Sequence, residues 1–331
     1  MADTNDWTAE ELVAELRHRE RATVTAQQGA AGERSMARAA PLRSKDLSHL
    51  PTDELARMAK DKQRAIYGVD NRQDLYAVRS SQVRAAAGVV VGLVKRKDLT
   101  LEDDGSYSLA TESYRHAYRL CSSEPFVGQP LGCFCTGFLV ARDVIATAGH
   151  CVTSPENLAG VRFVFGFSMI DADNARTRFP ADDVYSGKAL LGRQQSRDGT
   201  DWALVRLDRP VVGRKPVKVR SSGKVAATQA LFVIGHPCGL PQKYAPGAKV
   251  RDNSPGPYFV ANLDTYGGNS GSPVFNAKTA TVEGILVRGE KDFVTNGSCY
   301  VSLVCPSTGC RGEDVTRATV WSSKIPKKKK R

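Results

Sequence analysis

The sequence predicts an all-β fold, and two observations carry that prediction. Short strand candidates recur along most of the chain, for example at residues 161–165, 231–234 and 282–287, and Gly, Pro, Asn and Asp separate them. The 331 residues are 41% hydrophobic and 7% aromatic, which suits a globular core. The longest apolar run, residues 85–94, is ten residues long and contains glycine, so we expect a buried strand there and no membrane span.

Residues 1–64 have a different pattern and are predicted to form a short helical segment. Thr8 and Glu11 make a capping box ahead of an apolar helical face, and a second helix is expected over residues 51–62. Residues 24–40 between them are rich in Ala, Gly, Gln and Ser, which is typical of a linker. Because such a segment buries little apolar surface alone, three interpretations stay open: a propeptide, a segment that docks a partner protein, or a helical wrap on the next domain.

The next domain is predicted to cover residues 65–322. Residues 95–131 have the character of an insertion between its first strands and have no assigned role. Residues 323–331 are a basic tail that ends in four lysines and an arginine, and the whole chain has a net charge of +12. Such a tail suits nucleic acid or another acidic surface, but a solvated tail is the simpler interpretation, so we expect no nucleic-acid partner.

A glycine-rich stretch near the end of the chain predicts a nucleophile. In Gly267-Gly268-Asn269-Ser270-Gly271-Ser272-Pro273, two glycines lie shortly before Ser270 and one glycine directly follows it. A serine hydroxyl needs a base, and also backbone N–H donors aimed at the oxyanion that forms on the attacked carbonyl. The N–H groups of Gly268 and Ser270 are predicted to form this oxyanion hole, because glycine adopts backbone conformations that are strained in other residues. Taken alone, the stretch is also compatible with an ordinary turn.

Two further motifs supply partners for this serine. His150, in Thr147-Ala148-Gly149-His150-Cys151, follows two short predicted strands within residues 138–146. Asp201 begins an alternating strand over residues 201–207, where a buried carboxylate would hold an imidazole in one tautomer. The three candidate catalytic residues therefore occur in the order His150, Asp201, Ser270.

This order and the three local contexts resemble the trypsin/chymotrypsin-like serine proteases over residues 65–320. The similarity is greatest to the bacterial glutamyl-endopeptidase-like branch, on residues 66–72, 135–140, 147–152 and 264–270. The resemblance implies two packed six-stranded antiparallel barrels with the catalytic residues in the cleft between them. It also implies a serine endopeptidase that acts on polypeptides through an acyl-enzyme, with no metal and no organic cofactor. A catalytically silent relative that uses the barrels as a binding module is the alternative.

Asn269, directly before the candidate nucleophile, departs from the pattern of the animal trypsins. Those enzymes have an aspartate there, which receives the ammonium group of a newly cut N-terminus. An asparagine cannot form that ion pair, so activation by that switch is not expected.

The eight cysteines give conflicting indications about the compartment. The family commonly bridges cysteines at the places of Cys135 and Cys151, so the resemblance implies a disulfide that clamps the strand before His150 and contributes about 3 kcal/mol. Cys299, Cys305 and Cys310 lack a CxxC pair or a nearby histidine, and no zinc site is expected. An even cysteine count favours an oxidising compartment, whereas no secretory signal follows Met1, so the compartment stays open.

Substrate preference is predicted from residues around the primary specificity pocket. Asp264 lies six residues before Ser270, where the family places the pocket floor, and Thr265, Val287 and Gly289 are expected to line the same pocket. A carboxylate there would attract Arg or Lys, so cleavage after basic residues is predicted. Cleavage after acidic residues is the alternative, because glutamyl-specific relatives carry a similar Asp-Thr-Tyr-Gly stretch. Those relatives usually add a histidine on the following strand, and residues 285–287 contain none.

Overall fold

Twelve strands dominate the computed structural model of the chain, which describes residues 66–288, 292–306 and 308–327. In chain order these strands are β1 Val90–Lys95, β2 Cys135–Ala141, β3 Val144–Thr147, β4 Val161–Phe165, β5 Val184–Gln195, β6 Asp201–Leu207, β7 Ala230–Gly235, β8 Lys243–Asp252, β9 Tyr258–Ala261, β10 Pro273–Asn276, β11 Val282–Arg288 and β12 Glu313–Arg317. The helical segment predicted for residues 1–64 lies outside the described residues, as do Gly289 and the end of the basic tail.

Strands β1 to β6 close into an antiparallel barrel in the order β1-β2-β3-β6-β5-β4. Residues on these strands are apolar where they face the interior, and Phe138, Phe163 and Val205 have no exposed surface. Strand β3 lies beside β6, with Thr147 opposite Ala203. This register places the residues after β3 next to the beginning of β6, which is where His150 and Asp201 occur.

Strands β7 to β12 form a second antiparallel barrel with the same order, β7-β8-β9-β12-β11-β10, and the pairing of β10 with β7 closes it. One hydrophobic cluster contains residues of both barrels, with Val91 and Phe138 from the first and Phe275 and Ile285 from the second. This shared cluster packs the two barrels together. The prediction of two packed six-stranded antiparallel barrels is confirmed.

Short elements surround the barrels. The α-helices are α1 Ser81–Ala87, α2 Tyr114–Tyr118, α3 Pro155–Ala159 and α4 Ala318–Trp321. The 3-10 helices are Leu75–Ala77, Arg96–Asp98, Ala181–Asp183, Pro237–Gly239 and Ser322–Lys324. The remaining strands are Ile66–Tyr67, Gln73–Asp74, Leu99–Leu101, Tyr107–Leu109, Glu112–Ser113, Pro130–Leu131, Arg178–Phe179, Phe293–Asn296, Cys299–Ser302 and Val304–Cys305. Within the described ranges, no helix has the length and apolar character needed to cross a bilayer.

The insertion of residues 95–131 connects β1 to β2. Its second half contains α2, and Tyr114 and Leu120 from this part are buried in a cluster with Ile66, Leu240 and Tyr266. Tyr266 lies four residues before Ser270, so the insertion packs close to the loop that carries the candidate nucleophile.

Candidate active site

His150 and Asp201 form a directly bonded pair. His150 Nδ1 lies 2.7 Å from Asp201 Oδ2, and Asp201 Oδ1 accepts hydrogen bonds from the backbone N–H groups of Gly149 at 2.5 Å and His150 at 3.2 Å. The Asp201 side chain is 5% exposed and that of His150 is 28% exposed. A carboxylate bound in this way fixes the Nδ1–H tautomer of the imidazole and leaves Nε2 as a base.

The electrostatic surroundings keep the Asp201 carboxylate ionised. Burial alone would raise its pKa, but the charge and hydrogen bond of His150 lower it, and so does the charge of Arg288, so the pKa lies below its ordinary value. Arg288 donates a hydrogen bond of 2.9 Å to the carbonyl of Gly199, two residues before Asp201. Thr316 on β12, which sequence reasoning missed, accepts a hydrogen bond of 3.1 Å from the Asp201 N–H.

The loop that carries Ser270 belongs to the second barrel and is bonded to the first. Thr136 on β2 donates its N–H to the Ser270 carbonyl at 2.8 Å, and its hydroxyl donates to the Gly268 carbonyl at 2.9 Å. Cys151 Sγ lies 3.6 Å from the Ser270 carbonyl oxygen and within 4.8 Å of a ring nitrogen of His150. The structure therefore brings the Ser270 segment next to the His150–Asp201 pair.

The backbone conformation and the close surroundings of residue 268 require a glycine at this position. Its φ is +78°, and a Cβ atom on it would lie 2.5 Å from the His236 carbonyl oxygen and 2.7 Å from the Gly239 nitrogen. Cys238 donates its N–H to the Gly267 carbonyl at 2.5 Å, and because the peptide is trans, the Gly268 N–H points the opposite way. Within the described part of the chain, this N–H donates no hydrogen bond. Chemically, it is a donor available to an oxyanion.

A turn that sequence reasoning missed supports this glycine. His236 donates its N–H to the Thr136 hydroxyl at 3.1 Å, and its Nδ1 lies 3.0 Å from the Leu240 carbonyl oxygen. Burial lowers the pKa of His236 to about 4, so the ring is neutral and donates from Nδ1. Cys238 in this turn has φ +55°, a left-handed conformation that is uncommon outside glycine. The proline and glycine in His236-Pro237-Cys238-Gly239 could have indicated this turn from the sequence, because Pro and Gly are typical of turns.

The predicted pocket residues are largely buried. Asp264 is 5% exposed and its Oδ1 accepts a hydrogen bond of 2.7 Å from the Tyr67 N–H. Thr265 is buried and donates its hydroxyl to Oε2 of Glu313 at 3.1 Å, and Val287 is buried on β11. Glu313, a second buried acid beside Thr265, had no local sequence signal.

Three disulfides join six of the eight cysteines. Cys135 and Cys151 are bonded with their Cα atoms 6.1 Å apart, and the other pairs are Cys121–Cys299 and Cys305–Cys310. Because Cys299, Cys305 and Cys310 are all in disulfides, they provide no thiolates for zinc. Cys133 and Cys238 are free thiols.

Asn269 is almost fully buried and accepts a hydrogen bond of 3.3 Å from the Ser272 hydroxyl through Oδ1. Its N–H donates to the Tyr266 carbonyl at 3.1 Å. The residue thus takes part in the internal bonding of the loop around Ser270.

Residues 135–285 match the family model described as the trypsin-like peptidase domain. Among curated proteins, the glutamyl endopeptidase of Bacillus licheniformis is 26% identical over 160 residues, which cover 44% of this chain and 46% of that protein. The secreted RxLR effector protein 73 of Plasmopara viticola is 32% identical over 162 residues, which cover 43% of this chain and 38% of that protein. The matches therefore span less than half the length of these relatives.

Among solved structures, the VesB protease of Vibrio cholerae is 16% identical with a TM-score of 0.48, over 79% of this chain and 67% of that one. A Glu endopeptidase solved in complex with MPD is 16% identical with a TM-score of 0.44, over 78% of this chain and 97% of that one.

Proposed function

Residues 135–285 match the trypsin-like peptidase domain, and from that premise we propose that the chain is a serine endopeptidase of the trypsin/chymotrypsin-like family, which hydrolyses polypeptides through an acyl-enzyme. The observation that carries the proposal is the His150–Asp201 pair beside the Gly268–Ser270 loop. The pair is the base that a serine nucleophile needs, and the loop is the source of the oxyanion donors.

The proposed reaction has two halves. His150 Nε2 takes the proton of the Ser270 hydroxyl while Oγ attacks the substrate carbonyl, and the N–H groups of Gly268 and Ser270 stabilise the oxyanion. The imidazolium then returns the proton to the leaving amine. A water molecule, activated in the same way, attacks the acyl-enzyme and releases the carboxylic acid, which restores Ser270. Asp201 stays ionised throughout and stabilises the imidazolium.

Cleavage after basic residues is the preference that we propose. Two buried carboxylates support it, because Asp264 is at the predicted pocket floor and Glu313 bonds to the predicted pocket residue Thr265. Negative potential at the base of a pocket favours Arg and Lys over Asp and Glu. Cleavage after acidic residues is the second candidate. It is favoured by the name of the Bacillus licheniformis relative and by the hydrogen bond that already engages Asp264 with Tyr67.

The compartment that we propose is an oxidising, extracytoplasmic one. Disulfides persist in such compartments and are rare where glutathione keeps thiols reduced, and this chain contains three. The name of the Plasmopara viticola relative includes the word secreted, which is compatible with this proposal.

A fluorophosphonate probe tests the proposed activity, because it reacts with a serine that an assembled catalytic site has activated. We expect covalent labelling at Ser270, found by peptide mapping, together with hydrolysis of peptide substrates by the full chain. Absent labelling would favour the silent binding module, and labelling that survives replacement of Ser270 would refute Ser270 as the nucleophile.

A further inference from the structure

Both backbone polar groups of Gly267, the residue before the proposed oxyanion donor Gly268, are hydrogen-bonded. Gly267 donates its N–H to Oδ2 of Asp292 at 3.0 Å, and its carbonyl accepts the N–H of Cys238 at 2.5 Å. The Gly268 N–H follows directly in the chain, so its direction depends on these two bonds. Cys238 is fixed by its own turn, which leaves Asp292 as the side chain that orients Gly267.

A β-hairpin positions Asp292. This residue directly precedes the paired strands Phe293–Asn296 and Cys299–Ser302, in which Phe293 lies opposite Ser302. The Leu303 N–H donates back to the Asp292 carbonyl at 2.9 Å and closes the base of the hairpin. A displacement of this hairpin would therefore displace the Asp292 carboxylate.

The insertion between β1 and β2 holds that hairpin in place. Cys121 of the insertion is bonded to Cys299 in a disulfide, across 178 residues of chain. Backbone hydrogen bonds of 3.0 Å run from Cys121 N–H to the Tyr300 carbonyl and from Tyr300 N–H to the Arg119 carbonyl. The Ser302 hydroxyl donates to Oε2 of Glu124 at 2.5 Å. Residues 114–124 are thus joined to the hairpin by covalent and polar bonds.

Aromatic packing connects the same three parts. The Phe293 ring lies 5.4 Å from that of Tyr118 in the insertion and 5.0 Å from that of Tyr266, which precedes Gly267. The Tyr266 hydroxyl donates to the Ser302 hydroxyl, which in turn bonds to Glu124. The nucleophile loop, the hairpin and the insertion therefore share one packed core.

We propose that Asp292 is a positioning residue for the oxyanion hole, and that residues 114–124 act through the Cys121–Cys299 disulfide as a brace that keeps Asp292 in place. This inference rests on the proposed serine-protease function. Loss of one oxyanion donor lowers kcat by about 10²–10³-fold, and a misplacement of about 1 Å can cost about 100-fold. Sequence analysis assigned no role to the insertion. Under this proposal it raises the catalytic rate although it lies outside both barrels.

Kinetics of side-chain variants in the full chain test the positioning role. Asp292→Ala should lower kcat at least about tenfold with KM nearly unchanged, because the hole acts on the transition state. Asp292→Asn should recover most of the rate, since its amide oxygen still accepts the Gly267 N–H. Asp171→Ala is the control: that surface carboxylate also accepts backbone N–H bonds, and we expect wild-type kinetics. An unchanged kcat for Asp292→Ala, or an Asn variant as slow as Ala, would overturn the proposal.

Removal of the brace is tested with Cys121→Ser/Cys299→Ser. We expect a lower kcat in this variant, and an effect that does not add to that of Asp292→Ala, because both act on one contact. Amide hydrogen exchange of the segment containing Gly267 gives a second measurement, and it should be faster in the double serine variant. Additive kinetic effects or unchanged exchange would refute the brace.

Fluorophosphonate labelling separates this inference from the function on which it rests. A wild-type chain that is labelled at Ser270, beside an Asp292→Ala variant of equal kcat, refutes the positioning role alone. A wild-type chain that is neither labelled nor active refutes the proposed function.

Discussion

The backbone N–H of Tyr67 donates a hydrogen bond of 2.7 Å to Oδ1 of Asp264, across 197 residues of sequence. Tyr67 lies on the strand Ile66–Tyr67, which pairs in parallel with Val304–Cys305. Burial raises the pKa of Asp264 to about 6, and the Tyr67 N–H bond opposes that rise without cancelling it. The beginning of the described domain is therefore bonded to the residue that the sequence predicts at the pocket floor.

The raised pKa predicts that Asp264→Asn increases stability at neutral pH. The folded-state pKa is about 6, above the ordinary value of 3.8, so the native state binds the proton more tightly. The contribution of Asp264 to stability is therefore full below pH 3.8, is lost as the pH rises through about 6, and is constant above that. Asparagine removes the charge, so we expect a gain on the order of 2 to 3 kcal/mol at pH 7.5 that shrinks toward pH 4. Urea unfolding at several pH values measures it, and a gain independent of pH would contradict the assigned cause.

Replacement of Ser270 or His150 by alanine should remove nearly all peptidase activity and leave the fold intact. The two residues act as a unit, so the double variant should be about as slow as each single one. Ser254→Ala, at an exposed serine, is the matched control and should keep the wild-type rate. Retention of more than about a tenth of the activity in Ser270→Ala would rule out the proposed nucleophile.

Gly268→Ala should lower kcat about 100-fold, because its φ of +78° is strained for alanine and the new Cβ would press on the His236 carbonyl oxygen. Gly213 provides a close control: its φ is +73°, but a Cβ there meets nothing within 4 Å. Gly213→Ala should therefore cost some stability and no activity. Equal kinetic effects of the two substitutions would show that backbone strain, and not the oxyanion hole, is responsible.

Processing near Arg64 is the fourth prediction. Lys62-Gln63-Arg64 precedes the domain, and a protease that favours basic residues is expected to cut there. Any gain in rate should come from removal of a block, because Asn269 cannot form an ion pair with a new terminus. The full chain and a chain that starts at Ala65 are compared on peptides with Arg, Lys and Glu before the cleaved bond. Equal rates would dismiss an inhibitory role for residues 1–64, and a preference for Glu would overturn the interpretation of Asp264.

Sequence analysis predicted those features that are indicated by residues close together in the chain. The barrel fold was predicted correctly, and the motifs around His150, Asp201 and Ser270 have characteristic neighbours within a few residues. Glu313 and Asp292 were missed because their partners, Thr265 and Gly267, lie 48 and 25 residues away in the chain. Such contacts depend on strand register and on hairpin placement, which no short window of sequence specifies.

The position of Thr136 has a consequence for the nascent chain. This residue belongs to the first barrel, whose last strand ends at Leu207, yet it holds the loop of Ser270 in the second. N-terminal parts generally fold first during synthesis. The first barrel, which contains His150 and Asp201, would therefore emerge from the ribosome and fold before Ser270 has been translated. In the proposed enzyme, a complete catalytic site would therefore form only after the second barrel has closed against the first.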